Sequence, residues 1–251
     1  QKNDEINDLF EKKQYYNVFL KMHDHLDNVW KHLPRILTDG GIVCINIGDA
    51  IRKCNKKTQL FSNHVQIINK MIKNGFTLLP YILWKKETNS PTSFLGSGMI
   101  PTNSYITLEH EYILIFRKNN TRSFVPKDIN RYESAFFWEE RNDWFSDIWN
   151  IRGKKQKNKL LDRKTAAFSI EIPYRLINMF SVKGDTILDP FAGTGTTMIS
   201  SMISGRNSIN YEISKKLKPI IKKRICNFNT FSKKIINDRK HKHYQFITNN
   251  H

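Results

Sequence analysis

The chain has 251 residues, with 41 Lys and Arg against 23 Asp and Glu, and a formal net charge of +18. Its hydrophobic content of 39% suffices for one α/β domain with a sizeable core and an appended module. No apolar run reaches the roughly 18 residues of a membrane span, no signal peptide is visible, and the positive excess points to a polyanionic partner such as nucleic acid.

Cys44, Cys54 and Cys226 show neither a CxxC pair nor metal-ligand spacing, which fits a reduced, intracellular compartment. Cys44 lies in an apolar strand and reads as a core thiol. The first residue is Gln1 rather than Met, which leaves room for a preceding segment.

Residues 1–14 are polar and read as a loop or frayed helix. From Tyr15 the apolar positions Tyr15, Phe19, Met22, Leu26, Val29, Leu33 and Leu37 recur every three or four residues, predicting a long amphipathic helix. Pro34 should kink or shorten its last turn, and Asp39–Gly40–Gly41 should stop it. His23 and His25 fall on or near its polar side, with no third metal ligand nearby. Residues 42–48 read as a buried strand of parallel type. Asp49 stands at its carboxyl end, where open α/β sheets bind ligands, or else caps a helix. Arg52, Lys53, Lys56 and Lys57 read as a solvated basic loop, and Phe61, Val65, Ile68 and Ile72 predict a second helix closed by Asn74–Gly75. Residues 76–84 and 112–116 read as strands joined by a long loop.

Between residues 119 and 160 the character changes: Phe136, Phe137, Trp138, Trp144, Phe145 and Trp149 interleave with Arg131, Arg141 and Arg152, and a lysine run follows. This is either an aromatic cluster under a loop or a DNA-facing module. In the second reading, which is preferred, Arg131, Arg152, Lys154, Lys155 and Lys157 meet phosphates. Glu139, Glu140, Asp143 and Asp147 limit the DNA-facing part.

The chain is organised around residues 186–197, TILDPFAGTGTT, a buried strand entering a glycine loop and then a helix. A second strand, 208–212, ends in Glu212 about 20 residues beyond the loop, the layout of a Rossmann-like nucleotide site. Gly193 and Gly195 let the backbone approach a ligand closely, and Glu212 can accept two hydrogen bonds from a ribose diol. Asp189 places negative charge beside the ligand, which suits a cation better than a pyrophosphate; no lysine follows Gly195 as a phosphate loop would require. The residues after Glu212 read as a basic helix, kinked at Pro219, and a polar tail or terminal helix.

DPFAGTGTT (189–197), preceded by AAFSIEIPYRLI (166–177), resembles the cofactor half of a β-class, circularly permuted amino-group DNA methyltransferase. GSGMIPTNSYITLEHEYILIFRK and FFWEERNDWFSDIW resemble the branch whose catalytic motif is of the SPPY type. The resemblance implies an α/β Rossmann-like fold with an inserted target-recognition module. It divides the chain into residues 1–118 (the catalytic-side half of the sheet with a β-hairpin), 119–160 (target recognition) and 161–251 (the cofactor half with a basic tail). It implies S-adenosyl-L-methionine as cofactor, held by Phe168, Asp189, Phe191, Ala192, Gly193, Gly195, Thr196 and Glu212. It also implies double-stranded DNA with a flipped target base as partner, in a prokaryotic restriction–modification setting.

The implied reaction is direct attack of an exocyclic amine on the sulfonium methyl, with cytosine N4 favoured over adenine N6. None of the three cysteines follows a proline, which disfavours carbon-5 methylation. No (S/D/N)PP(Y/F) motif, and no Pro-Pro pair, occurs in the 251 residues. By family spacing the motif belongs before Gln1, so the expectation is a methyltransferase whose catalytic segment is missing or lies on a separate chain. The alternative is a DNA-binding or specificity subunit that kept the fold without the chemistry.

Overall fold

The computed structural model describes residues 4–55, 57–86, 95–97, 99–153 and 169–250. The chain divides into two compact units, Gln1–Ser123 with Asp147–Asn150, and Phe124–Ser146 with Ile151–His251.

The first unit opens with α1 (Asp4–Glu11), α2 (Tyr15–Trp30) and α3 (Leu33–Ile36). Pro34 sits in the first turn of α3, where its missing N–H costs nothing, so the expected shortening becomes a separate helical turn. The strands are β1 (Ile42–Ile47), β2 (Ala50–Cys54), β3 (Lys57–Phe61), β4 (Phe76–Leu78), β5 (Ile82–Lys85), β6 (Leu95–Gly96), β7 (Ser104–Tyr105), β8 (His110–Lys118) and β9 (Ile148–Asn150), with α4 (Asn63–Lys73) between β3 and β4. The main sheet runs β1-β8-β5-β9, and β4 also pairs with β8.

β8 is the spine of this sheet. Its run Ile113–Phe116 is at most 3% exposed, so both faces are covered. Pro80 splits the strand expected over 76–84. Leu78 pairs with Phe116 and Ile82 with Ile113, so β4–β5 has one residue more than β8 across this interval. Pro80, which has no N–H to give a ladder, sits in that bulge. Across the parallel β5–β9 pair, Trp84 faces Trp149, each 1% exposed.

Several expectations are corrected. β1 pairs antiparallel with β8, and its residues are only half-buried; a continuous apolar run reports burial rather than strand direction. The basic stretch around Arg52 forms the β2–β3 hairpin, and Phe61 ends β3 instead of opening a helix. The packing around Cys44 pushes its thiol up to about 12, although the residue keeps partial exposure.

The buried stripe of α2 includes Phe19, His23 and Trp30, while Met22 is 41% exposed. His23, expected on the polar side, is 1% exposed. Asn63 Nδ2 donates to the Gly48 carbonyl (2.8 Å), which leaves Asn63 Oδ1 to accept from His23 Nε2–H (3.0 Å). His23 Nδ1 is then buried without a partner, so the ring is neutral, and burial lowers its pKa. Asp49 completes the same turn. Its carboxylate accepts from the His64 backbone N–H (3.2 Å) and meets His64 Nδ1 (2.7 Å), tying the end of β1 to the first turn of α4. Of the two roles considered for Asp49, this is the cap-like one, reached across 15 residues of sequence.

The second unit holds α5 (Ile129–Tyr132), α6 (Trp138–Trp144), α7 (Glu171–Phe180), β10 (Thr186–Asp189), α8 (Thr196–Ile203), β11 (Asn207–Asn210), α9 (Lys218–Cys226) and α10 (Phe228–Asn249). β10 and β11 pair in parallel with α8 as their crossover, as expected. Ser200 and Ser201 are fully buried on α8, and their hydroxyls donate back to the Thr196 and Thr197 carbonyls. Arg175 of α7 is 9% exposed and bridges Glu171 (2.6 Å) and Asp143 (2.8 Å), which binds α6 to α7.

His23 binds a proton more readily in the unfolded chain than in the folded one. Stability is therefore full above the ordinary value of 6.5 and falls as pH drops below it. Denaturant midpoints measured from about pH 7 to pH 5 should fall in the parent, and His23→Gln should remove part of that slope.

Candidate functional site

The glycine loop lies wholly within the second unit. β10 ends at Asp189, and the chain reverses into α8 through two left-handed glycines, Gly193 (φ +53°) and Gly195 (φ +76°). Ala192 N–H donates to the Tyr211 carbonyl (2.9 Å), and Gly195 N–H to the Ala192 carbonyl (2.8 Å). Asp189 Oδ1 accepts from Phe191 N–H (2.9 Å), and Asp189 Oδ2 has no bond among the described residues.

Glu212 lies just past β11 and closes the loop. Its Oε2 accepts from Gly193 N–H (2.8 Å) and its Oε1 from Ser214 N–H (2.7 Å). A carboxylate offers about four acceptor directions, so both oxygens keep capacity for a diol. Ala192, Thr194 and Thr196 are buried, whereas Phe191 is 54% exposed beside the loop. A Cβ built on Gly193 meets nothing closer than the Phe191 carbonyl at 3.9 Å, so this glycine faces open space.

The structure brings Asp189, Phe191, Ala192, Gly193, Gly195, Thr196 and Glu212 together in one loop and its two flanks. Phe168, Lys154, Lys155 and Lys157 lie outside the described residues. Arg131 is exposed on α5 with its guanidinium 5.0 Å from the Phe124 ring centre, and Arg152 is exposed after β9. The aromatic segment is used mainly for packing. Phe136 contacts Trp144 and Phe145, and Trp144 and Phe145 reach Tyr174 and Phe180 of α7. Trp138, at 67% exposure, stays at the surface.

Sequence reasoning missed Ser214 and Arg224. Ser214 acts through a backbone N–H, which no residue type announces. Arg224, hidden in a basic run, donates from α9 to Thr196 Oγ1 at 2.8 Å and ties the first residue of α8 to that helix. A separate cavity of about 640 Å³ in this unit is lined by Trp144, Tyr174, Ile199, Phe231 and Arg239, among others; Thr196 is its one lining residue from the loop.

The residues present fit a nucleoside with a cationic centre. Two carboxylates flank the loop, a glycine without Cβ faces open space, and an exposed phenyl stands beside them. Residues 2–223 match the N6/N4 methyltransferase family model, described as DNA methylase. The chain belongs to this family.

The Type II methyltransferase M.MjaI of Methanocaldococcus jannaschii is 57% identical, over 84% of this chain and 69% of its own length. M.MthZI of Methanothermobacter thermautotrophicus is 49% identical, over 92% of this chain and 66% of its own length. The chain thus spans about two thirds of these relatives. Among solved structures, the DNA modification methylase TTHA0409 of Thermus thermophilus, crystallised with S-adenosyl-L-methionine, shares 32% identity at a TM-score of 0.68, covering 85% of this chain and 79% of that one. The cytosine-N4-specific PvuII DNA methyltransferase matches in fold, at a TM-score of 0.54 and 15% identity, covering 82% of this chain and 77% of that one. The architecture of this N6/N4 methylase is accordingly the α/β, Rossmann-like methyltransferase fold. Among the described residues, no helix is long and apolar enough to cross a membrane, and no group of His, Cys, Asp and Glu could hold a metal ion.

Gly193→Ala separates folding from binding. The left-handed φ should cost about 1–2 kcal/mol of stability, with no clash inside the protein. The added methyl enters the open space before the loop, so nucleoside affinity measured by calorimetry should fall further than the thermal midpoint does.

Proposed function

We propose that this chain is the cofactor-binding and DNA-contacting part of a Type II methyltransferase that moves a methyl group from S-adenosyl-L-methionine to an exocyclic amine of DNA, cytosine N4 in preference to adenine N6. The observation that carries the reading is the closure of the glycine loop by Glu212, with Asp189 at its entrance. When bound, the cofactor supplies a methyl on a sulfonium. Glu212 accepts from the ribose hydroxyls while still holding the Gly193 and Ser214 N–H groups, and Asp189 places negative charge toward the cationic ligand. Phe191 and Phe168 pack on its apolar parts, and Ala192, Gly195 and Thr196 shape the loop that receives it.

In this reading the fold is the circularly permuted β-class arrangement, with the glycine loop late in the chain. Residues 1–118 form the catalytic-side half, 119–160 the target-recognition module and 161–251 the cofactor half. Arg131, Arg152, Lys154, Lys155 and Lys157 bind the DNA backbone, and the target base leaves the duplex to react, within the cytoplasm of a prokaryotic cell. Acceptors for the amine hydrogens come from an SPPY-type motif in a segment or chain outside these residues, because the 251 residues contain no Pro-Pro pair. That same absence favours a second reading, a specificity subunit that binds DNA without methylating it.

The chain should bind S-adenosyl-L-methionine in calorimetry, and Glu212→Ala should weaken it roughly 10–100-fold, the worth of hydrogen bonds to a charged acceptor. A folded chain that fails to bind it would sink the proposal. Methyl transfer to duplex DNA should require the added SPPY-bearing segment, and nucleoside mass spectrometry of the product separates N4-methylcytosine from N6-methyladenine. No transfer with any such segment supports the specificity subunit.

A further inference from the structure

The last two helices and the turn before them carry lysine charge that no ion pair neutralises among the described residues. Residues 215–249 hold eleven Lys and Arg and one acid, Asp238. The two arginines are turned inward: Arg224 donates to Thr196, and Arg239 makes paired bonds to Glu140 at 2.5 and 2.7 Å. The nine lysines are all exposed, and none forms an ion pair among the described residues. Elsewhere lysines find acids, as in Lys12–Asp8, Lys21–Glu5, Lys70–Asp24 and Lys183–Glu133. Lysines without an ion pair occur elsewhere, as at Lys53 and Lys73, but here nine fall within 28 residues, so the density of unpaired charge sets these helices apart.

α10 sorts its residues by face. Phe228, Ser232, Ile235, Arg239, His243 and Phe246 form a part-buried stripe at three- and four-residue spacing. Arg239 and His243 fasten that stripe to Glu140 and Glu139 of α6, and the His243 ring stacks on Phe137 at 3.6 Å. The opposite face presents Lys233 and Lys240, two turns apart, with His241 and Tyr244, the latter 67% exposed. With 22 residues, α10 is about 33 Å long at about 1.5 Å per residue, close to one turn of duplex DNA at about 34 Å. The family match ends at residue 223, so α10 lies beyond it.

We propose that the exposed lysine face of α9 and α10 binds the phosphate backbone of duplex DNA irrespective of sequence. Clustered like charges repel one another, and a polyanion relieves that repulsion while releasing its own counterions. The proposal rests on the reading of DNA as the substrate and adds a second contact surface to the target-recognition module.

The test uses the full chain and a fluorescent duplex of about two helical turns (about 20 base pairs), titrated by anisotropy across roughly 50–200 mM salt. The variant combines Lys222→Gln, Lys223→Gln, Lys233→Gln and Lys240→Gln, and a matching set of Lys→Arg changes serves as the rescue. The parent should show a steep salt slope. The glutamine variant should have a slope shallower by about 2–4, at about 0.9 for each phosphate no longer neutralised, and weaker binding, with unchanged circular dichroism and S-adenosyl-L-methionine affinity. The arginine set should bind like the parent. A parent that binds duplex DNA with the same slope as the glutamine variant overturns this surface and leaves the function standing. A parent that binds no duplex overturns both. Stronger binding to duplex RNA, abolished in the glutamine variant, would assign the face to RNA and overturn the DNA proposal.

Discussion

One carboxylate closes the glycine loop. Glu212 spans from the end of β11 to the glycine loop and accepts two backbone N–H groups, those of Gly193 and Ser214. Without it those donors would lose their partners, one of them at Gly193, where φ is positive. Its charge also makes it an acceptor for a diol, so the residue that orders the loop is one that can recognise what the loop receives. The parallel β10–β11 pair places it there, because the register Asp189↔Asn210 carries the chain just past the strand ends, where open α/β sheets bind ligands.

Around the loop, buried polar contacts fix the packing. Arg206 is 6% exposed and donates to the Ser181 carbonyl and hydroxyl, and Asn178 reaches Ser204, so the C-terminal ends of α7 and α8 are bound to each other by hydrogen bonds as well as apolar contact. The Arg239–Glu140 pair does the same for α10. It places a bidentate guanidinium against a carboxylate that also takes the Phe137 N–H, which satisfies the buried acid.

In the first unit the corresponding device is the turn after β1. His23, Asn63 and the Gly48 carbonyl form one hydrogen-bonded set and Asp49 with His64 the adjacent one, and Tyr112 stacks on the His64 ring at 3.9 Å. Each of these contacts joins residues 15 to 48 positions apart in sequence. Here a histidine that helical periodicity assigns to the polar side becomes a core residue, because an amide 40 positions away offers an acceptor. The same long-range logic explains the split strand at Pro80, where the register of β8 decides how the extra residue is absorbed.

The sequence alone determined the glycine loop, the two strands and helix that carry it, the acid beyond the second strand and the basic balance of the chain. These are local: strand burial, left-handed turns and helical spacing are written in neighbouring residues. The tertiary structure decided the rest. β1 runs antiparallel to its neighbour because strand direction depends on which partner reaches it. Trp144 and Phe145 became packing for α7 because their partners, Tyr174 and Phe180, lie 30 and 35 residues on. On α9 and α10 the arginines turned inward, because acceptors for them stand on α6 and α8, while the lysines stay exposed. For Glu212, the spacing marked it as a ribose ligand, and only the folded loop showed that it also holds the backbone of Gly193.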